Sequence, residues 1–268
     1  MISPRPSPGS LTVHLSDQMA PFRRVLIAAS AAALFAGCNN GSTGPDVGAA
    51  RVIFVHAIAD TGNLDLRVSG RLTQPLSAIP FGTGTIYQSI KSGVVTFSVQ
   101  AAPSTSGESP RPLANLSGIL VGGGSAVTIV AAGIARDSGT ARAAAVTGYL
   151  DDVSIPAGGQ ARLRIINASP DAGAVDVYVT PSGGVRSATP TFVGVDYRSA
   201  LTRSVAPGSY DLTITELSDA AAVLASASVT LPASGAQTVV VRGYSGPMPV
   251  GLPLTRKLAT TTTVNVAP

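Results

Sequence analysis

The sequence predicts an all-β protein: two tandem immunoglobulin-like antiparallel β-sandwich domains. Three observations lead there. Residues 162–179, RLRIINASPDAGAVDVYV, lie over residues 51–68, RVIFVHAIADTGNLDLRV, without a gap, each position 111 residues after its counterpart. The apolar residues fall in short alternating runs separated by Gly, Pro, Ser and Asn, the pattern of half-buried strands and turns. No window of useful length carries the three-to-four spacing of an amphipathic helix. The chain of 268 residues has 45% hydrophobic and 12% charged content, which excludes a disordered acidic or basic chain. Its apolar residues are largely Ala and Val, which suits strands better than helix bundles.

Residues 1–38 read as an upstream segment and an export signal. Arg23 and Arg24 precede an apolar run over 25–35 and a group of small residues before Cys38. The run is shorter than the roughly 20 apolar residues a membrane helix needs. Residues 1–18, polar and rich in proline, make a poor signal start, so translation is expected from Met19. Cys38 is the only cysteine. The segment 34–38, LFAGC, resembles the bacterial lipobox, with Phe35 where that motif usually has Leu. The resemblance implies that Cys38 is lipidated and becomes the mature N-terminus, anchored to a membrane of the bacterial cell envelope, periplasmic or surface-exposed. Residues 39–49 have the Gly, Ser, Asn and Pro content of a flexible tether.

The first sandwich is expected over 50–155, with strands near 52–55, 64–68, 94–99, 127–132 and 143–150. Residues 156–159, PAGG, form the seam, and few contacts are expected across it. The same order returns over 160–258, with strands near 163–167, 175–180, 210–215, 226–231 and 238–243. Regular spacing suggests about seven strands per copy, without the disulfide or core Trp of antibody domains, since the protein has no Trp. Residues 259–268 are a C-terminal tail that ends as an edge strand or a loose end.

The repeated motif has a family likeness. ARLRIINASPDAGAVDVYV, then Tyr197, then VAPGSY over 205–210 and TVVVRG over 238–243, resembles the bacterial DUF4397 family. That family is a domain of unknown function found in exported and anchored proteins. The resemblance covers nearly all of 50–258 as two copies, the second being the closer, since the first has HAIADTG where the family reads nearer to HASPDAP. It implies fold and location and carries over no catalytic residue.

Asp60, Gly62 and Asp65 share the spacing D-x-G-x-x-D with Asp171, Gly173 and Asp176. Two carboxylates around a glycine turn fall well short of the roughly six to eight oxygens that Ca²⁺ takes, and no metal ligand is assigned. The expected roles are structural. The first Asp caps a turn two residues on, the glycine supplies positive φ, and the second Asp stands on the solvent face of the next strand. His56 and Asn167 occupy one repeat position, and both side chains can hydrogen-bond the bend between strands. There is no G-x-S-x-G and no H-E-x-x-H, so no catalytic residue is assigned. Gly122, Gly123 and Gly124 precede a strand and not a helix, which argues against a phosphate loop.

Of the net charge of +4, half belongs to residues 1–38, and the remaining basic residues are scattered singly. No clustered cationic footprint is left for nucleic acid. The expectation is a non-enzymatic, membrane-anchored envelope lipoprotein, a structural, adhesive or ligand-binding module without a cofactor, whose partner is an envelope protein or glycan. The alternatives are a carboxylate-based hydrolase of envelope or extracellular glycans and a Ca²⁺-stabilised binding module.

Overall fold

The structure, a computed structural model, describes residues 48–69, 76–105, 107 and 109–264. The signal segment, Cys38 and most of the tether lie outside the described residues. No described helix is long and apolar enough to cross a membrane.

The first half contains β1 (Ala50–Ile58), β2 (Leu64–Val68), β3 (Leu76–Ile79), β4 (Gln88–Ile90), β5 (Gly93–Ala101), β6 (Arg111–Val121), β7 (Ala126–Gly133) and β8 (Ala145–Asp151). They form two sheets, β4-β1-β7-β8 and β3-β2-β5-β6. A short 3₁₀ turn, Ala157–Gly159, occupies the seam. The second half contains β9 (Ala161–Asn167), β10 (Val175–Pro181), β11 (Phe192–Val195), β12 (Ala200–Val205), β13 (Gly208–Glu216), β14 (Asp219–Leu231), β15 (Ala236–Arg242) and β16 (Ala259–Val264). Its sheets run β12-β9-β15-β16 and β11-β10-β13-β14. Each half therefore repeats the other strand for strand, with eight strands where spacing alone suggested about seven. Residues 259–264 are the edge strand β16, paired antiparallel with β15.

Alternation explains the two sandwich cores. On β5, Val95, Phe97 and Val99 point inward and are buried, while Val94, Thr96 and Ser98 point away. They meet Val52, Phe54, Val127 and Ile129 from the facing sheet. In the second half Tyr210, Leu212 and Ile214 of β13 meet Leu163, Ile165, Val239 and Val241 in the same way. Burying each large side chain contributes on the order of 1.5–3 kcal/mol.

The inner sheets depart from simple alternation. β1 is buried at every position except Arg51, and β7 at every position. Both strands are central, and β1 pairs with β7 in parallel over eight residues, 51–58 on 126–133. β9 and β15 form the equivalent parallel pair. Central parallel strands covered on both faces read as continuous apolar runs. The second faces of these sheets meet in a third core in which Ile53, Val55, Ala57, Val130 and Ala132 pack against Ile166, Ala168 and Val240. Tyr87 and Tyr197, equivalent in the repeat, flank it. The result is four sheets stacked as outer, inner, inner, outer. The seam is thus a boundary in sequence but not in packing, and the expectation of few contacts across it is corrected by this buried layer.

One ion pair pins the layer. Arg164 on β9 donates from Nη2 to Asp151 Oδ1 at 2.5 Å and to Thr128 Oγ1 at 2.8 Å, and from Nε to Thr238 Oγ1 at 2.9 Å. Thr128 and Tyr87 donate to the Asp151 carboxylate at 2.8 and 2.7 Å. Arg164 and Asp151 are both buried. A buried pair so completely hydrogen-bonded has its desolvation offset, whereas either partner alone would be an uncompensated charge.

Candidate functional site

Each repeated motif holds its own half together by gripping backbone N–H groups. Asp60, just past β1, accepts from Ala135 N at 2.6 Å and Arg136 N at 3.1 Å. Asp171 accepts from Ser245 N at 2.9 Å and Gly246 N at 3.1 Å. The partners are successive amides in the loop after β7 and, at the equivalent place, after β15. The turn two residues on is not what these carboxylates cap. They reach loops about 75 residues away because the parallel β1/β7 and β9/β15 pairs end side by side.

The second carboxylates also clamp. Asp65 accepts from Ala78 N at 2.8 Å. Asp176 accepts from Gly194 N at 2.8 Å and Ser218 N at 3.0 Å. Ala78, Gly194 and Ser218 have φ of 53°, 62° and 62°, so these bonds secure backbone turned into the left-handed region. Asp176 is only 4% exposed, which corrects its expected place on a solvent face. Of the two motif glycines, Gly173 has positive φ, 64°, and Gly62 does not.

His56 and Asn167 do share one task. His56 Nε2 lies 2.8 Å from Gly62 O, and Ile58 N donates to His56 Nδ1 at 3.2 Å, which makes the ring the neutral Nε2–H tautomer. Asn167 Nδ2 donates to Gly173 O at 2.7 Å and its Oδ1 accepts from Ser169 N at 3.1 Å. Burial is the main cause that drives the His56 pKa down to about 4, and the nearby Arg256 and Arg242 add to it. Both guanidiniums stack on Phe81, at 4.1 and 4.8 Å, and the His56 ring meets the same Phe81 edge-on at 5.6 Å. A neutral, doubly bonded, fully buried histidine is in no position to act as a base.

The two clamped loops face each other across the junction of the halves and enclose a cleft of 420 Å³. Asp60 and Asp171 both line it, so the first carboxylates of the two repeats converge on one space. Charge there is largely compensated: Arg142 pairs with Asp137 at 2.9 Å, and Arg136 approaches Asp60 at 3.9 Å. The remaining wall is apolar, from Ile134, Met248 and the prolines 247 and 249. Tyr244 completes it. Burial, followed by the carboxylates of Asp60, Asp171 and Asp137, pushes its hydroxyl up to about 12. Sequence reasoning passed over Tyr244; its signal was the repeat, in which the equivalent position, after the β7 glycine, is Ile134. A second cleft, of 330 Å³, lies by the Arg164 ion pair, with Tyr149, Arg162 and Gln237 among its walls. Among the described residues no group of three or more His, Cys, Asp or Glu could hold a metal ion.

Comparison with known proteins places part of this chain in context. Residues 50–178 match the family DUF4397, a domain of unknown function. The match covers all of the first sandwich, then β9 and the opening of β10. No curated protein matches the chain. Among solved structures, the C-terminal domain of AlgF from P. aeruginosa is similar at 19% identity and a TM-score of 0.25, over 40% of this chain and 99% of that one. A streptococcal virulence factor that binds alpha-glucan is similar at 8% identity and a TM-score of 0.23, over 67% and 87%. The fimbrial anchor protein Mfa2 from Porphyromonas gingivalis is similar at 9% identity and a TM-score of 0.20, over 81% and 97%.

Proposed function

We propose that the protein is a non-enzymatic lipoprotein of the bacterial cell envelope, held to a membrane through Cys38, whose two sandwiches are tandem DUF4397 domains acting as one ligand-binding or adhesive module. The observation that carries this reading is the use made of the repeated carboxylates. Asp60, Asp65, Asp171 and Asp176 all accept backbone N–H groups that fix loops and turns. Carboxylates committed in this way shape a binding surface, whereas glycoside hydrolysis needs one carboxyl to deliver a proton and a second to attack or to activate water. The neutral, buried His56 supports the same conclusion. Location rests on the basic start, the short apolar run, the lone cysteine and the tether, and the expected partners are the membrane and an envelope protein or glycan.

Mass spectrometry of the N-terminus of protein isolated from bacterial membranes tests the anchor. A diacylated Cys38, together with loss of membrane association in Cys38→Ser, is the expected result. Release of product from envelope glycans by the purified protein would overturn the non-enzymatic part.

A further inference from the structure

Resting on that reading, we propose that the cleft between the two sandwiches is a binding site for a small neutral polyhydroxylated ligand, a sugar unit of an envelope or extracellular glycan, and that the Tyr244 hydroxyl is its central hydrogen-bonding group. Tyr244 is 4% exposed, and its hydroxyl makes no hydrogen bond to any described protein group. A buried hydroxyl without a partner loses its hydration and gains nothing in return, a cost that a polar group of a bound ligand would offset. The first repeat avoids the cost. Gly133 and Gly243 both have positive φ, 116° and 91°, and each is followed by a residue in a parallel bridge, Ile134 to Ala143 and Tyr244 to Lys257. The same backbone therefore carries an apolar side chain in one half and a hydroxyl in the other.

The walls select the ligand class. Asp171 accepts from two loop amides and from the Ser169 hydroxyl, and its Oδ2, engaged only by Gly246 N, keeps a lone pair that can accept from a ligand hydroxyl, whereas the Asp60 side chain, 1% exposed, shapes the wall from behind. Arg142, half exposed at the rim, can donate to them. With three carboxylates against two guanidiniums in the lining, an anion is disfavoured. A metal ion is disfavoured as well, since the carboxylates form no metal-holding group among the described residues. A sugar ring presents vicinal hydroxyls to such charged groups and C–H faces to apolar ones, which Ile134 and Met248 supply. The volume of 420 Å³ lies within the range of small-ligand pockets. Because both repeats contribute walls, neither half holds the site alone.

The test uses the full chain and saturation-transfer difference NMR with maltose, cellobiose and lactose as probes. Glucuronate and calcium chloride serve as charged controls. At least one neutral sugar is expected to bind, with affinity roughly tenfold weaker in Tyr244→Phe while the melting temperature is unchanged or higher. Arg142→Gln, at an exposed position, should weaken binding in the same direction and decides the matter if Tyr244→Phe fails to fold. The inference is overturned if no neutral sugar binds the folded protein, if only glucuronate or calcium binds, or if neither substitution alters affinity. Disaccharide cleavage seen in the same spectra would uphold the site and overturn the non-enzymatic reading, whereas absence of both binding and cleavage overturns the site alone.

Discussion

His56 and Asn167, 111 residues apart, make the same pair of hydrogen bonds: each donates to the carbonyl of its motif glycine and accepts from the amide two residues further on. An imidazole and a carboxamide can exchange here because both present a donor and an acceptor on a flat group, the one difference being the second N–H of the carboxamide, which Asn167 donates to Val195 O at 3.0 Å. His56→Asn should therefore leave the melting temperature within a few degrees of wild type. His56→Leu strands Gly62 O and Ile58 N and should cost about 1–3 kcal/mol for each. Denaturant unfolding of the two variants measures the difference.

The same histidine makes stability depend on pH. Its pKa falls from 6.5 in the unfolded chain to about 4 in the folded one, so below 6.5 the unfolded state takes up a proton that the folded state does not. Stability contributed by neutral His56 is complete above that pH and declines as pH falls toward 4, by about 3 kcal/mol in total, after which the loss levels off. His56→Asn should flatten this part of the profile, read by chemical denaturation across the acid range.

The carboxylate clamps rank by burial and by number of bonds. Asp176, with two N–H partners and 4% exposure, should cost more on mutation to Ala than half-buried Asp65 with one. Asp171→Ala frees two loop amides and should cost about 1–3 kcal/mol, and Asp171→Asn, which keeps one acceptor, should cost less. Thermal melts of the four variants give the order. An Asp65→Ala protein less stable than Asp176→Ala would contradict it.

The Arg164–Asp151 pair couples the halves. Arg164→Met leaves Asp151 buried without its cation and should destabilise by about 3–5 kcal/mol. Adding Asp151→Leu should restore much of that loss, because two apolar groups carry no desolvation cost. Calorimetry of the single and double variants checks both.

The third core predicts that the sandwiches unfold together. Ile166 is fully buried between the inner sheets, and Ile166→Asp places a charge there without a partner. The expected outcome is separation into two melting transitions and protease cleavage within 156–159. A single transition at the wild-type temperature would mean that the layer contributes little.

The sequence by itself determined the β class, the repeat and its offset, most long strands, the turn at 156–159 and the equivalence of His56 with Asn167. These are local or self-referential: alternation, turn chemistry and one stretch laid over another need no knowledge of the partner strand. The edge strands β3, β4, β11 and β12 escaped because runs of three to six residues, largely half-buried or exposed, carry no such pattern, and the eleven-residue edge strand β6 escaped with them because it is exposed or half-buried at every position but its last. The apolar runs of β1 and β7 held the sign of burial on both faces, yet what covers the second face is a property of the other half. Only the tertiary structure decided the partners of the aspartates. A carboxylate grips whichever amides stand about 3 Å away. For Asp60 and Asp171 those amides lie some 75 residues distant, brought there by parallel pairing. The cleft and the unpaired Tyr244 hydroxyl follow from the same non-local packing, since their walls come from both halves.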